Sequence, residues 1–216
     1  MSSFDLTVDA VLFDIDGTLA DSTASVERSW TRLAEAHGVD VERLLSVTHG
    51  RRARDTIEEF FAADQVDAAA AELLEYETND LDGIVALPGA LRILDGLPAD
   101  RWAAVTSGGR DLMGLRLDAA GLPVPEVFIA AEDVAAGKPD PQGYRMAAER
   151  LGVDPARCLV VEDAPAGVGA GRNAGATVLA VGTSHDLARL SAADHLVPDL
   201  SGVTMEPGPD GIRVRG

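Results

Sequence analysis

Asp14 and Asp16 stand two residues apart at the end of an apolar run, Val8 to Phe13, and Gly17 follows at once. On an extended chain that spacing puts both side chains on one face. Two carboxylates so close repel each other unless a cation lies between them or one keeps its proton. Both remedies are useful chemistry. An aspartate can attack phosphorus as a nucleophile, and a second carboxyl beside it can give and take the proton. Gly17 lets the backbone come close to whatever the pair holds.

Three further groups fall at the ends of apolar stretches. Thr106 and Ser107 lead into Gly108 and Gly109. A hydroxyl followed by glycines and a helix start aims O–H and backbone N–H groups at an anion, although a serine there is also an ordinary helix cap. Lys138 is the one lysine among eighteen basic residues, the rest being arginine. A lone lysine in such a chain suggests a position that needs a compact ammonium rather than a planar fork. Glu162 and Asp163 close the run from Cys158 to Val161. Such a pair either ligates a cation or faces the positive end of the next helix. Arg51, Arg52 and Arg54 form the densest positive cluster. They open a helix, where positive charge opposes the dipole, and this favours a substrate contact. The neighbouring His49 reads as structural.

These groups need a scaffold that brings strand ends together. Val8–Phe13, 101–105, 158–161 and 177–181 read as strands buried on both faces. Shorter strands fit near 127 and over 195–197, and 203–215 reads as a terminal hairpin over a Pro/Gly turn. Helices fit after Pro141 and Pro165, near 186–190, and over 87–97 with a proline at its start. From 22 to 80 the spacing of apolar residues is helical throughout, with helices within 22–37, 41–47, 49–62 and 67–79. An all-helical stretch thus interrupts a chain that begins and resumes as alternating strand and helix.

The formal net charge is -18. That argues against nucleic acid and against anionic membrane surfaces as partners. An anionic substrate would need a metal ion and local basic groups to offset the field. No apolar run approaches ~20 residues, the length of a membrane-spanning helix. The opening MSSFDLTVDA lacks a basic region followed by an apolar stretch, so no secretory signal is expected. Cys158 is the only cysteine; it reads as a small buried hydrophobe. A cytoplasmic location is the expectation.

The strings DIDGTLADS, VTSGGRD, GKPDPQGY and VVEDAPAG resemble, in this order, the four motifs of the haloacid dehalogenase-like hydrolases, most of which are phosphatases. Apart from the helical stretch, the resemblance runs from residue 8 to about 190. It implies an α/β fold, a three-layer Rossmann-like parallel-sheet core from 1–21 and 87–216, with an inserted α-helical cap at 22–86. It also implies roles. Asp14 is the nucleophile and Asp16 the general acid and base. Ser107, with Thr106 and Gly108, binds phosphate, and Lys138 neutralises the phosphoryl group and Asp14. Mg²⁺ is held by Asp14, the Asp16 backbone carbonyl and Asp163, with Glu162 as ligand or support. The string HGRRARDTI resembles the cap loop of sugar- and polyol-phosphate phosphatases, and places Arg52 at their basic substrate contact.

The implied activity is Mg²⁺-dependent hydrolysis of a small phosphorylated metabolite, through an aspartyl-phosphate. Glycerol phosphate, a hexitol phosphate, a 2-deoxyhexose phosphate and phosphoglycolate all fit. Phosphomutases of the β-phosphoglucomutase kind carry a histidine twelve residues after the nucleophile, where this chain has Val26. Phosphonate hydrolases use a cap lysine, which 22–86 lacks. A dehalogenase would not need Asp16, and a regulatory binding module would be expected to lose a catalytic residue. A monomer or weak homodimer is the expected state.

Overall fold

The first apolar run does not make one strand. In the computed structural model, which describes residues 3–48 and 50–216, it divides at Asp9 into β1 (Asp5–Val8) and β2 (Ala10–Phe13). Asp9 turns the chain, with its N–H donated to the Arg157 carbonyl at 2.7 Å and its carboxylate paired with the Arg157 guanidinium. Val8 therefore belongs to a different sheet from Phe13, which corrects the single strand expected over Val8–Phe13.

The chain continues through β3 (Ala20–Asp21) into four helices, α1 (Thr23–His37), α2 (Val41–Leu45), α3 (Ala53–Phe60) and α4 (Val66–Asn79), and returns by β4 (Val85–Ala86). Then come α5 (Ala90–Gly96), β5 (Trp102–Val105), α6 (Arg110–Ala119), β6 (Val127–Ile129), α7 (Gln142–Leu151), β7 (Cys158–Glu162), α8 (Pro165–Ala174), β8 (Thr177–Val181), β9 (His195–Val197), β10 (Thr204–Gly208) and β11 (Gly211–Arg215). Two expectations shift. The helix near 186–190 is a single 3₁₀ turn, Leu187–Leu190. The Pro-started helix begins at Ala90, because Gly89 first turns at φ +86° against the Leu200 carbonyl, where a Cβ would come within 2.3 Å.

Six strands form a parallel sheet in the order β6-β5-β2-β7-β8-β9. Alternation along each strand sorts its residues between two apolar layers. Val11, Phe13, Leu159 and Val161 face a layer that includes Ile93 and Leu94 of α5 and Leu112 and Leu117 of α6. Ala10, Leu12, Cys158 and Val160 face a layer with Tyr144 and Ala147 of α7 and Val168 and Ala170 of α8. Burial on both faces explains why these strands read as continuous apolar runs. It also pushes the Cys158 thiol up to about 12, in keeping with its reading as a buried hydrophobe. The second sheet, β1-β11-β10, is antiparallel and joins the two ends of the chain.

The helical insertion has its own apolar centre, from Trp30, Leu33, Leu44, Ile57, Val66 and Leu73. It leaves and rejoins the sheet layers through a two-stranded ribbon, in which Ala20 pairs with Ala86 and Asp21 with Val85. That ribbon starts four residues beyond Asp16, so the insertion hangs over the end of β2. No helix of the described residues is long and apolar enough to cross a membrane.

Candidate active site

Asp14 is the first residue past β2, and its N–H donates to the Val161 carbonyl on β7 at 3.0 Å. The next turn folds back on itself, with the Leu19 and Ala20 N–H groups both donating to the Ile15 carbonyl. Gly17 lies in this turn at φ +79°, and a Cβ there would sit 2.2 Å from Asp163 Oδ2. Only glycine allows both the backbone conformation and the approach. Gly17→Ala is expected to cost about 1–3 kcal/mol of stability from the strained φ and to displace Asp163. Chemical denaturation would check the first effect, and weaker divalent-cation binding measured by calorimetry the second.

Lys138, carried by the loop before α7, reaches the same place. Its Nζ bonds to an Asp14 carboxylate oxygen, lies 2.7 Å from Glu162 Oε1 and donates to the Val105 carbonyl at 3.1 Å. Burial alone would lower its pKa, but the charges of Asp14 and Glu162 outweigh that and hold the ammonium above its ordinary value. Glu162 is held from behind, accepting from the Tyr144 hydroxyl at 2.6 Å. Asp163 accepts from the Ser184 hydroxyl and lies 3.5 Å from Thr18 Oγ1.

One ammonium does not balance these carboxylates. Burial, reinforced by Glu162, raises Asp163 to about 7. Burial also raises Asp14 well above its usual range, against the pull of Lys138. Oxygens of Asp14, Glu162 and Asp163 lie within 4.8 Å of one another. A buried, all-oxygen, over-negative cluster fits a hard divalent cation, which takes one or two carboxylates and keeps water. The Asp16 carboxylate stands outside this cluster. Its repulsion from Asp14 is answered by Arg116, whose Nη1 donates to Oδ2 at 2.6 Å, and by Ser22, whose Oγ donates to Oδ1 at 2.7 Å.

Asp14, Asp16, Ser107, Trp30, Glu77 and Arg116 are among the residues around a cavity between the sheet ends and the insertion. Ser107 Oγ donates to the Gly50 carbonyl of the insertion at 3.1 Å, while Thr106 Oγ1 accepts the Gly108 N–H at 3.1 Å and so shapes the turn. Arg51 also lines this cavity, whereas Arg52 does not. Arg52 flanks a smaller one, beside Lys138, Thr106 and Ser107. Its guanidinium grips Asp55 at 2.9 and 2.7 Å and reaches the Ala135 carbonyl at 3.4 Å. Arg54 pairs with Glu58 and Asp67 in the open. His49 lies outside the described residues.

Arg116 and Glu77 are not among the residues expected from the motifs, yet each leaves a signal in its helix. Arg116 falls four residues after Leu112 and three after Met113, on the buried face of α6. Glu77 falls four after Leu73, on the buried stripe of α4. A charge where the period calls for an apolar residue is a departure that function commonly explains.

A family model described as haloacid dehalogenase-like hydrolase matches residues 8–175. The chain belongs to the haloacid dehalogenase-like hydrolases. Among curated relatives of this hydrolase, hexitol phosphatase A of Escherichia coli is 43% identical over 93% of this chain and 95% of its own length. The 2-deoxyglucose-6-phosphate phosphatase 2 of Saccharomyces cerevisiae is 34% identical over 92% of this chain and 91% of its own. Among solved structures, a hydrolase from Pseudomonas syringae superposes with a TM-score of 0.81 at 25% identity, covering 89% of this chain and 94% of that one. The four strings that suggested the family all lie at the carboxyl ends of parallel strands or in the loop carrying Lys138, where open α/β sheets bind ligands.

Proposed function

We propose that this hydrolase is a Mg²⁺-dependent phosphatase of a small sugar or polyol phosphate, working through an aspartyl-phosphate. One observation carries the reading. Asp14 is buried on the Lys138 ammonium at the floor of a cavity whose wall holds a second aspartate, Asp16, and a strand-end hydroxyl, Ser107. The names of the relatives, a hexitol phosphatase and a 2-deoxyglucose-6-phosphate phosphatase, support the substrate class. Residues 22–86 act as the cap, moving on the β3–β4 ribbon to admit substrate and exclude water.

The residues divide the work as follows. Asp14, Asp163 and the Asp16 backbone carbonyl would hold the metal, with Glu162 as a ligand or as the support of Lys138. When bound, the cation would draw charge from the phosphoryl oxygens. Ser107 exchanges the Gly50 carbonyl for a phosphoryl oxygen, and the Gly108 N–H joins it by letting go of Thr106 Oγ1. Lys138 neutralises Asp14 and the incoming phosphate. Asp14 attacks phosphorus, and Asp16 protonates the departing alcohol. Asp16 then takes a proton from the water that hydrolyses the aspartyl-phosphate. Val26, on the cavity wall, offers no proton carrier for returning the phosphoryl group to a second sugar hydroxyl, which favours hydrolysis over mutase chemistry. A phosphorylated-metabolite substrate fits a reaction in the cytoplasm.

Phosphate release from a panel of phosphorylated metabolites tests the reading. A hexitol or deoxyhexose phosphate should rank above phosphoglycolate. Saturating Mg²⁺ should raise the unfolding temperature, since about 100-fold excess over Kd adds ~2.7 kcal/mol. Release from no sugar or polyol phosphate would overturn it.

Arg52 belongs, in this reading, to the phosphate end of the substrate, because it flanks the smaller cavity with Lys138 and Ser107. Arg52→Ala should lower kcat/KM by roughly 10- to 150-fold, the worth of one charge-assisted contact. The loss should be similar for a polyol phosphate and for p-nitrophenyl phosphate, because both share the phosphate. Steady-state kinetics on the two substrates checks this.

A further inference from the structure

Both carboxyl oxygens of Asp16 are already engaged. Oδ1 accepts from Ser22 at 2.7 Å and Oδ2 from Arg116 at 2.6 Å. Each oxygen has room for a second bond, but turning the carboxyl toward a leaving oxygen stretches both of these. Ser22 can follow, because a hydroxyl rotates to suit its partner. Arg116 cannot follow easily: it is 3% exposed, and its Nε donates to nothing among the described residues. A guanidinium that gave up Asp16 with no other anion beside it would be a buried, uncompensated cation, which is costly.

The other anion is Glu77. Its Oε1 accepts from Arg116 Nη2 at 3.0 Å, and both side chains are nearly sealed from solvent. Arg116 comes from α6, against the sheet, whereas Glu77 comes from α4, in the helical insertion. Both stand on the wall of the larger cavity with Asp16. As mere adhesive the pair is a poor choice, since apolar residues of similar size commonly hold two layers together as well or better. Three charges in a row, from the proton carrier to the insertion, suit a hand-over.

We propose that Glu77 and Arg116 are positioning residues for Asp16: Glu77, brought by the insertion, keeps the Arg116 guanidinium compensated while Asp16 turns to the leaving oxygen. The inference rests on the phosphatase reading above. The pair makes and breaks no covalent bond and carries no proton; it sets where the Asp16 carboxyl is held. Seating of the insertion is thereby coupled to release of the acid. Without Glu77, Asp16 is the only carboxylate left to Arg116, and the guanidinium keeps it.

The test compares wild type, Glu77→Gln and the double variant Glu77→Gln/Arg116→Met on two substrates. One is the best alkyl phosphate of the panel, whose alkoxide needs a proton to leave. The other is p-nitrophenyl phosphate, whose phenolate does not. The rate read is that of alcohol or phenolate release in a single turnover with enzyme in excess, because the later attack of water needs Asp16 whichever ester is used. Glu77→Gln should lower this rate on the alkyl ester at least about tenfold, a part of what a general acid contributes. It should lower it on the aryl ester less than about threefold, and leave KM, from steady-state assays, near wild type on both. The double variant should recover most of the alkyl-ester rate, because the cation that detains Asp16 is gone. Thermal unfolding accompanies each rate. If Glu77→Gln does not fold, Glu77→Asp, which withdraws the charge by one methylene, takes its place with the same expected split. Equal losses on both substrates, a change in KM alone, or a double variant no better than the single one would overturn the inference and leave the pair as a tie between insertion and sheet. A wild type inactive on both substrates would overturn the phosphatase reading and this inference together, so the wild-type rate tells the two failures apart.

Discussion

Asp14→Asn is expected to lower kcat by at least about 10,000-fold while the protein stays folded. Removal of a nucleophile that acts as a unit with its partners costs about a million-fold in a well-studied hydrolase, so the figure is a floor. An amide has the shape of the carboxylate but not its charge, and cannot form the aspartyl-phosphate. The structure gives the variant a good prospect of folding. Burial and the charges of Glu162 and Asp163 hold the Asp14 pKa up, against Lys138. The ionised form is therefore strained in the metal-free protein, and a neutral amide relieves it. Lys138 keeps Glu162 as a partner at 2.7 Å. Phosphate release and thermal unfolding, measured together, check both halves. A rate above a hundredth of wild type would remove Asp14 from the nucleophile's role.

Lys138→Ala should lower kcat by at least ~100-fold, because one electrostatic donor at such a site is worth about 2.7–4 kcal/mol. It should also destabilise the metal-free protein by about 3–5 kcal/mol, the cost of breaking a buried pair from one side. Three carboxylates, Asp14, Glu162 and Asp163, would be left together with no ammonium among them. Lys138→Arg should restore little. The Nζ site is bounded by Asp14, Glu162, the Val105 carbonyl and the face of Tyr144, whose ring centre lies 5.4 Å away. A planar fork cannot fill a place made for a compact ammonium. Kinetics with parallel denaturation separates the two effects. Wild-type turnover in either variant would make the lone lysine a coincidence.

The candidate site was legible because its parts are local. Three of the four strings are contiguous segments in which an apolar strand stops and a polar loop begins, and the fourth, GKPDPQGY, is the loop that leads into α7. A parallel sheet covered on both faces demands apolar residues at every position, so β2, β5, β7 and β8 stood out by composition alone. The helical insertion was equally plain, since each helix carries its own 3.6-residue period.

What remained hidden depends on partners far apart in the chain. Asp9 is a charge inside an otherwise apolar run, but that it parts two sheets follows from the pairing of β1 with β11, whose register sets Asp5 opposite Arg215 and Val8 opposite Ile212. Arg52 could be picked out as a cation, but its place by the smaller cavity follows from Asp55 and from the Lys138 loop, whose Gly137 leaves room for the arginine side chain. Arg116 and Glu77 are single charges on two amphipathic helices, separated from Asp16 by 100 and 61 positions of sequence. The sequence by itself determined the core strands, most of the helices, and the polar groups that follow the strand ends, because propensity and period act between neighbours. Only the tertiary structure decided which charge answers which. A buried ion pair is set by distances of about three ångströms across packed layers, and residues near in space leave no mark of that nearness along the chain.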